Sequence, residues 1–252
     1  MKHSWRLILA IVLVMAIGGC GSDQPADSSQ KIVVFAAASL KKSFTEIGEQ
    51  FKTDNPGASV EFSFAGSSDL VTQLTQGASA DVFASADTNN MGKAAQAGLL
   101  AGNSVNFASN TLTVVVAPGN SKNIHSFQDL AKPGLSVVTC APQVPCGSAT
   151  QKIEQATGVQ LAPVSEESSV TDVLNKVVAG QADAGLVYVT DTLAAGDKVT
   201  SVPFPEAAEA VNTYPIAILK QSQNPDLARK FVDLVTGEAG QKILAAAGFA
   251  KP

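Results

Sequence analysis

Short apolar runs of β-strand type alternate with amphipathic stretches over most of the chain. The first run is residues 31–35 (KIVVF). Apolar side chains at helical spacing follow it, namely Leu40, Phe44, Ile47 and Phe51. Spacings of four, three and four residues place these side chains on one face of a helix. We therefore predict a strand and then a helix that buries this face.

The same alternation continues beyond residue 60. Further strands are predicted at residues 60–64, 81–83, 111–117, 135–139, 184–189 and 214–219. Further helices are predicted at residues 70–74, 91–100, 151–156, 171–179 and 226–247. Strands that alternate with helices are typical of α/β folds with mostly parallel sheets. Periodicity alone allows either one large sheet or two smaller lobes.

The beginning of the sequence has the pattern of an export signal. Lys2 and Arg6 precede an apolar run at residues 7–17, which is shorter than the roughly 20 residues of a membrane-spanning helix. We predict a signal peptide at residues 1–19. Residues 20–30 carry no large apolar side chain and are expected to form a flexible tether.

The segment Ile17-Gly18-Gly19-Cys20 resembles the lipobox of bacterial lipoproteins. This resemblance implies cleavage before Cys20, acylation of that cysteine, and anchoring to the outer face of the cell membrane. Plain secretion with a free Cys20 is the alternative.

Composition places the chain among globular proteins that do not bind nucleic acid. Hydrophobic residues make up 45% and charged residues 15% of the sequence, and the formal net charge is −5. Loss of Lys2 and Arg6 with the signal peptide changes the net charge to −7. A protein without a basic surface lacks the electrostatic footprint of a nucleic-acid partner.

Two further cysteines, Cys140 and Cys146, lie six residues apart. In an exported chain a disulfide is the natural interpretation. Pro142 and Pro145 in the intervening loop provide an alternative, in which they hold the two Cα atoms farther apart than the roughly 7 Å a disulfide tolerates.

Four predicted helices begin with small, neutral residues. The four segments are residues 36–39 (AAAS), 65–68 (AGSS), 145–148 (PCGS) and 168–171 (SSVT). The first amides of a helix have no internal partner, so such a start binds anions without a cationic side chain. Serine is also an ordinary N-cap, and one such start alone indicates nothing more than capping.

These segments belong to longer stretches that resemble the extracytoplasmic molybdate-binding proteins of bacterial ABC importers. The matching stretches are KIVVFAAASL, FSFAGSSDLVTQLTQGASADVFASAD, TLTVVVAP, ADAGLVYVTD and NTYPIAIL. The resemblance covers nearly all of residues 31–252. It implies an α/β, two-lobed periplasmic-binding-protein fold of type II, in which each lobe is a mixed, mostly parallel sheet flanked by helices. Residues 31–110 and 213–252 would form lobe I, residues 111–212 lobe II, and the ligand cleft would lie between them.

The resemblance also implies a set of residues that bind the oxyanion. Carried over by position, they are Ser39, Ser67, Cys146, Val170 and Tyr188. Cys146 departs from the alanine that is common at its position, and it would donate through its backbone N–H. None of the five is a carboxylate, and a site made only of donors suits a fully deprotonated oxyanion. No cofactor is implied, and molybdenum or tungsten would be held only through the oxygens of molybdate or tungstate.

The function implied is capture of molybdate, and of tungstate, by a monomeric substrate-binding lipoprotein. It would deliver the anion to the permease of an ABC importer that is driven by an ATPase. The alternatives are a receptor for another tetrahedral oxyanion such as sulfate, and a surface module that binds another protein.

Enzyme chemistry has little support in the sequence. His125 is the only histidine after the predicted signal peptide, and we expect it in a solvated loop. The segment Gly66-Ser67-Ser68-Asp69 is not the G-x-S-x-G elbow of a hydrolase. Motifs for zinc hydrolysis, nucleotide hydrolysis and dinucleotide binding are absent from the sequence. The sequence therefore indicates a binding protein and not an enzyme.

Overall fold

The computed structural model describes residues 30–252. The predicted signal peptide, Cys20 and residues 20–29 of the predicted tether lie outside the described residues. Over residues 30–252, no helix combines the length and the apolar character needed to cross a membrane.

In the described part of the chain, ten strands form two sheets. The strands are β1 (Gln30–Ala37), β2 (Ala58–Ala65), β3 (Val82–Ala84), β4 (Val105–Asn110), β5 (Leu112–Val116), β6 (Val137–Cys140), β7 (Ser165–Glu167), β8 (Ala184–Tyr188), β9 (Thr200–Val202) and β10 (Asn212–Ile218). Sheet I has the order β2-β1-β3-β10-β4, and sheet II has the order β7-β6-β8-β5-β9.

Each sheet is mixed and mostly parallel, as predicted. In sheet I, β10 pairs antiparallel with both β3 and β4, whereas β1 pairs parallel with β2 and β3. In sheet II, β5 occupies the same position and pairs antiparallel with β8 and β9. Four strands of each sheet therefore run in one direction and one strand runs against them.

Within residues 30–252, eight α-helices flank the sheets. They are α1 (Lys41–Asp54), α2 (Ser67–Thr75), α3 (Thr88–Gln96), α4 (Pro145–Thr157), α5 (Val170–Val178), α6 (Val189–Ala195), α7 (Pro225–Thr236) and α8 (Glu238–Ala246). A 3-10 turn, Ala38–Leu40, joins β1 to α1. The predicted apolar face of α1 is confirmed, because Leu40 before the helix and Phe44, Ile47 and Phe51 within it are fully buried.

The two sheets have separate hydrophobic cores. One face of sheet I packs α1, α7 and α8 around Phe44, Phe51 and Phe231, and its other face packs α2 and α3 around Leu70 and Phe83. The core of sheet II is a different cluster, built mainly from aliphatic side chains. Burial of these apolar side chains is the main stabilising contribution to each half of the molecule.

The chain passes from one sheet to the other at two places. β4 ends sheet I at Asn110, and β5 begins sheet II at Leu112. The return runs from β9, which ends at Val202, through a 3-10 helix (Pro205–Ala210) to Asn212 of β10. The structure thus has two sheets joined by two connections that lie side by side, since Asn110 pairs with Asn212.

Some predicted elements were wrong in their bounds. The single helix expected at residues 226–247 is two helices that meet at Gly237, where an added Cβ would lie 2.7 Å from the Asp233 carbonyl oxygen. The helix expected at 91–100 begins earlier, at Thr88, and ends at Gln96, because Gly98 adopts a positive φ of 70° that turns the chain. The prediction missed β4, β7, β9 and α6 entirely.

Candidate functional site

The helices between the two sheets surround one small cavity. Its lining consists of Ala37, Ala38, Ser39, Gly66, Ser67, Ala86, Val144, Pro145, Cys146, Val170 and Tyr188. All five residues that the sequence proposed for oxyanion binding are among them. The structure therefore brings together segments that are far apart in the chain, and the binding role of these residues stays a prediction.

The position of the cavity follows from the topology. β1 ends at Ala37, β2 at Ala65 and β8 at Tyr188, and a helical turn follows each of them, directly or after a single residue. In α/β sheets, ligands bind beyond the carboxyl ends of the strands, where loops lead into helix N-termini. The sequence placed Ser39 just before the first helix, and the structure places it inside the 3-10 turn Ala38–Leu40 that leads into α1. Residues 145–148 likewise form the first turn of α4 and do not precede it.

Three of the helical starts at the cavity have no side-chain cap. The residues in the N-cap positions are Ala37 before the 3-10 turn, Gly66 before α2 and Val144 before α4, and none offers a side-chain oxygen. By contrast, Ser169 caps α5 by accepting from the Asp172 N–H. Uncapped amides at a helix start carry a partial positive charge and favour an anion. In these three segments, the first backbone N–H groups therefore have no side-chain acceptor from the N-cap residue.

Three side-chain hydroxyls face the same cavity. The Ser67 Oγ accepts a hydrogen bond from the Ala86 N–H at 3.0 Å, which leaves the hydroxyl hydrogen of Ser67 free to be donated. The Tyr188 Oη is buried and has no hydrogen-bond partner. The Ser39 Oγ lies 3.0 Å from the Tyr214 Oη. Ser67 and Tyr188 can thus both donate into the cavity.

Charge at the cavity is confined to residues behind its lining. Of the eleven lining residues, none has a charged side chain. The Asp191 carboxylate accepts the Tyr188 N–H at 2.9 Å, and burial raises the pKa of this carboxyl to about 7 although that hydrogen bond opposes the rise. Burial also raises the pKa of Asp87, whose carboxylate caps α3. Burial raises the pKa of Tyr188 well above its ordinary value, so its hydroxyl stays protonated.

A disulfide joins Cys140 and Cys146 at the edge of the cavity. The bond connects the end of β6 to the first turn of α4, with 5.6 Å between the Cα atoms. The alternative in which the prolines hold the cysteines apart is wrong. Gly147 packs against this loop, since an added Cβ would lie 2.0 Å from the Ala141 carbonyl oxygen. The loop is therefore closely fitted to the start of α4.

The mouth of the cavity is closed by a backbone contact between its two sides. A Cβ added to Gly66 would lie 2.0 Å from the carbonyl oxygen of Ser168. Gly66 has φ −59° and ψ 140°, angles that any residue adopts, so glycine serves here for space and not for conformation. Beyond this contact the outer cleft is lined by both Lys41 and Asp172.

Several residues near the cavity were not found from the sequence. Ala86 acts through its backbone N–H, and no residue type signals such a donor. Tyr214 and Asp191 lie in stretches that carried the family resemblance, but nothing in their spacing separated them from core or capping residues. His125 is exposed as predicted, and its backbone N–H donates to the Asp129 carboxylate. Over residues 30–252, no three His, Cys, Asp or Glu side chains are grouped to hold a metal ion.

Comparisons of the sequence with a family profile and with known proteins agree on the family. The profile of the family "Bacterial extracellular solute-binding protein" matches residues 32–250. The molybdate-binding protein ModA of Mycobacterium tuberculosis is 61% identical, and the alignment covers 97% of each chain.

Two solved structures have the same fold. The periplasmic molybdate-binding protein of Azotobacter vinelandii superposes with a TM-score of 0.75 at 24% identity, covering 88% of this chain and 99% of that one. The sulfate-binding protein SubI of Mycobacterium tuberculosis superposes with a TM-score of 0.76 at 22% identity, covering 88% of this chain and 86% of that one. At these identities the superpositions concern the fold alone.

The profile match over most of the chain and the high identity to a full-length relative determine the family. The chain belongs to the bacterial extracellular solute-binding proteins, and it is a binding protein and not an enzyme.

Proposed function

We propose that this protein captures molybdate, and also tungstate, in the cavity between the two sheets and delivers the anion to an ABC importer. The name of the 61% identical relative supports molybdate as the ligand. Partners would be the membrane permease of the importer and its ATPase. The five residues Ser39, Ser67, Cys146, Val170 and Tyr188 would surround the anion.

The observation that carries the proposal is a neutral cavity built from donors. The Ser67 and Tyr188 hydroxyls are free to donate, and uncapped helix starts add backbone N–H groups. A dianion loses a large hydration energy on burial, and several charge-assisted hydrogen bonds are needed to offset it. No carboxylate lines the cavity to accept a hydrogen from a protonated anion. The site is thus suited to an oxyanion that is fully deprotonated near neutral pH, which phosphate is not.

Sulfate is the second candidate ligand. It is also a fully deprotonated tetrahedral dianion, and a sulfate-binding protein has the same fold. The high identity to a molybdate-binding relative favours molybdate over sulfate.

The two lobes would close on the anion. Lobe I comprises residues 31–110 and 213–252 and carries Ser39 and Ser67, whereas lobe II comprises residues 111–212 and carries the other three residues of the site. An anion bridging both sides favours the closed arrangement, and such hinge closure is common in binding proteins. The adjacent connections between the sheets support a hinge at this place.

Export and anchoring are part of the same proposal. The signal peptide at residues 1–19 would direct the chain out of the cell, and acylated Cys20 would hold the monomer on the outer face of the membrane. Residues 20–30 would then be the tether that leaves the lobes free to meet the permease.

A thermal melt of the protein with four anions tests the proposed ligand. At 100 times its dissociation constant, a ligand that binds only the folded state stabilises it by about 2.7 kcal/mol. We expect molybdate and tungstate each to raise the melting temperature, and phosphate to leave it unchanged. A shift with sulfate alone would replace molybdate by sulfate. The absence of any shift would contradict oxyanion binding and would favour a protein partner.

A further inference from the structure

Tyr214 lies directly behind the Ser39 hydroxyl, outside the cavity. Its side chain is fully buried, and its Oη is 3.0 Å from the Ser39 Oγ. The ring of Tyr214 is held edge-on by Phe249, with ring centroids 5.3 Å apart, and it also packs on Tyr188 at 6.0 Å. Tyr214 is absent from the cavity lining, so it would touch a bound anion only through its neighbours.

The contact between Ser39 and Tyr214 contains two hydroxyls, and either can be the donor. An anion in the cavity, as in the proposed function, would accept the hydrogen of Ser39. The contact then persists only if Tyr214 donates to the lone pair of the Ser39 Oγ. Burial raises the pKa of Tyr214 far above its ordinary range, so this hydroxyl keeps its hydrogen at every pH of interest.

We propose that Tyr214 is a positioning residue that makes Ser39 a committed donor to the bound oxyanion. The inference rests on the proposed function. Ser67 has the equivalent arrangement, since the Ala86 N–H occupies an acceptor site of its Oγ. The two serines of the site are thus both turned toward the ligand by a fixed donor behind them, a backbone amide in one case and the Tyr214 phenol in the other.

The alternative is that Tyr214 serves only as a core aromatic. Tyr214→Phe distinguishes the two roles because it keeps the ring and its packing on Phe249 and Tyr188 and removes only the Oη. A positioning role predicts that the effect depends on the Ser39 hydroxyl. A core role predicts the same effect whether or not that hydroxyl is present.

The experiment is a double-mutant cycle on the dissociation constant for molybdate, measured by isothermal titration calorimetry. We expect Tyr214→Phe alone to raise the dissociation constant about tenfold, which is about 1.4 kcal/mol and within the range for one hydrogen bond in a charged site. In the Ser39→Ala background, the same substitution is expected to change the constant by less than about twofold.

Thr113→Val is the matched control. Thr113 is a buried hydroxyl residue of β5 whose Oγ1 lies 2.9 Å from the Ser201 Oγ, and it does not line the cavity. We expect this variant to lower the melting temperature of the ligand-free protein and to keep the wild-type affinity. This separates the loss of a buried hydroxyl from the loss of a positioned donor.

The outcomes distinguish the inference from the proposed function. Equal effects of Tyr214→Phe in both backgrounds, or no effect in the wild-type background, would overturn the positioning role while wild-type binding of molybdate stands. Failure of the wild-type protein to bind any tetrahedral oxyanion would overturn the proposed function and this inference with it.

Discussion

Two neighbouring serines show how much the role of a residue depends on its contacts. Ser67 and Ser68 are consecutive in the first turn of α2, and both are buried. The Ser67 Oγ accepts from the Ala86 N–H and faces the cavity. The Ser68 Oγ is buried without a hydrogen-bond partner and does not line the cavity. The two side chains therefore allow a test in which chemistry, burial and helix position are matched.

We expect Ser67→Ala to weaken molybdate binding by about 1 to 3 kcal/mol, the range for a hydrogen bond to a charged group. The ligand-free variant should also be less stable, because the Ala86 N–H loses its partner inside the protein. Calorimetric titration measures the first effect and urea unfolding the second.

Ser68→Ala is the control. It should keep the wild-type affinity and should be at least as stable as the wild type, since it removes an unpaired buried hydroxyl. Equal affinity of Ser67→Ala and the wild type would remove Ser67 from the site.

The sequence predicted side chains near the cavity better than it predicted their supports. Ser39, Ser67, Cys146, Val170 and Tyr188 follow strand ends or begin helices, positions that pattern and resemblance identify. Their supports are distant in the chain: Ala86 lies 19 residues from Ser67, and Tyr214 lies 175 residues from Ser39. Such contacts arise only when the sheet is assembled, and no local pattern encodes them.

At the scale of secondary-structure elements, a buried carboxyl group holds the junction of β8 and α6. Asp191 lies in the first turn of α6 and accepts the N–H of Tyr188, the last residue of β8. This hydrogen bond fixes the residue whose hydroxyl faces the cavity. Burial raises the pKa of Asp191 from 3.8 to about 7 in the folded protein.

The raised pKa predicts a pH-dependent stability. Between pH 4 and 7 the folded state holds the Asp191 proton more tightly than the unfolded state does. The contribution of this group to stability therefore falls as the pH rises through this range and is constant above it. We expect urea unfolding to show a steeper loss of stability from pH 5 to pH 7 in the wild type than in Asp191→Asn.

The test compares the pH dependence of stability in the wild type with that in Asp191→Asn. Asp87 also has a pKa raised by burial, but it is present in both proteins and cancels in the comparison. Parallel pH profiles for the wild type and Asp191→Asn would contradict the shifted pKa of Asp191.

Elements that the sequence did not predict are short or continuous with a neighbour. β7 (SEE) and β9 (TSV) have three residues each and no hydrophobic alternation. β4 (VNFASN) is polar at half of its positions. α6 follows β8 without a gap, so the apolar run that forms the strand hides the start of the helix. Pairing with longer strands, not local propensity, determines these elements.

At the scale of the whole molecule, backbone on the side of sheet I touches backbone on the side of sheet II. Gly66 on the side of sheet I touches the Ser168 carbonyl on the side of sheet II. Near the connections between the sheets, the Asn212 Nδ2 donates to the Ala86 carbonyl at 2.9 Å. A side chain can yield to a neighbour by rotating, whereas two backbone segments can yield only by moving the lobes apart.

Gly66→Ala should therefore hold the molecule partly open. Its Cβ would lie 2.0 Å from the Ser168 oxygen in the closed form, although the backbone angles of residue 66 suit alanine. We expect the dissociation constant for molybdate to rise at least about tenfold, mainly through faster dissociation. Stopped-flow kinetics measures the rate, and small-angle scattering in excess molybdate should give a larger radius of gyration than in the wild type.

Gly92→Ala is the control for this substitution. Gly92 lies in α3, and an added Cβ would meet no atom within 4 Å. Alanine there should raise stability by up to about 1 kcal/mol and leave the affinity unchanged. Wild-type affinity and wild-type radius in Gly66→Ala would show that this contact does not control closure.

The uncapped helix starts at the cavity create a trade-off between the stability of the fold and ligand binding. A serine or aspartate in the N-cap position of α4 would contribute about 1 kcal/mol of stability in place of Val144. The same side chain would occupy the amides that face the cavity. Selection for heat resistance alone would thus tend to abolish ligand capture. Engineered stabilisation of this protein should begin at helix starts far from the cavity.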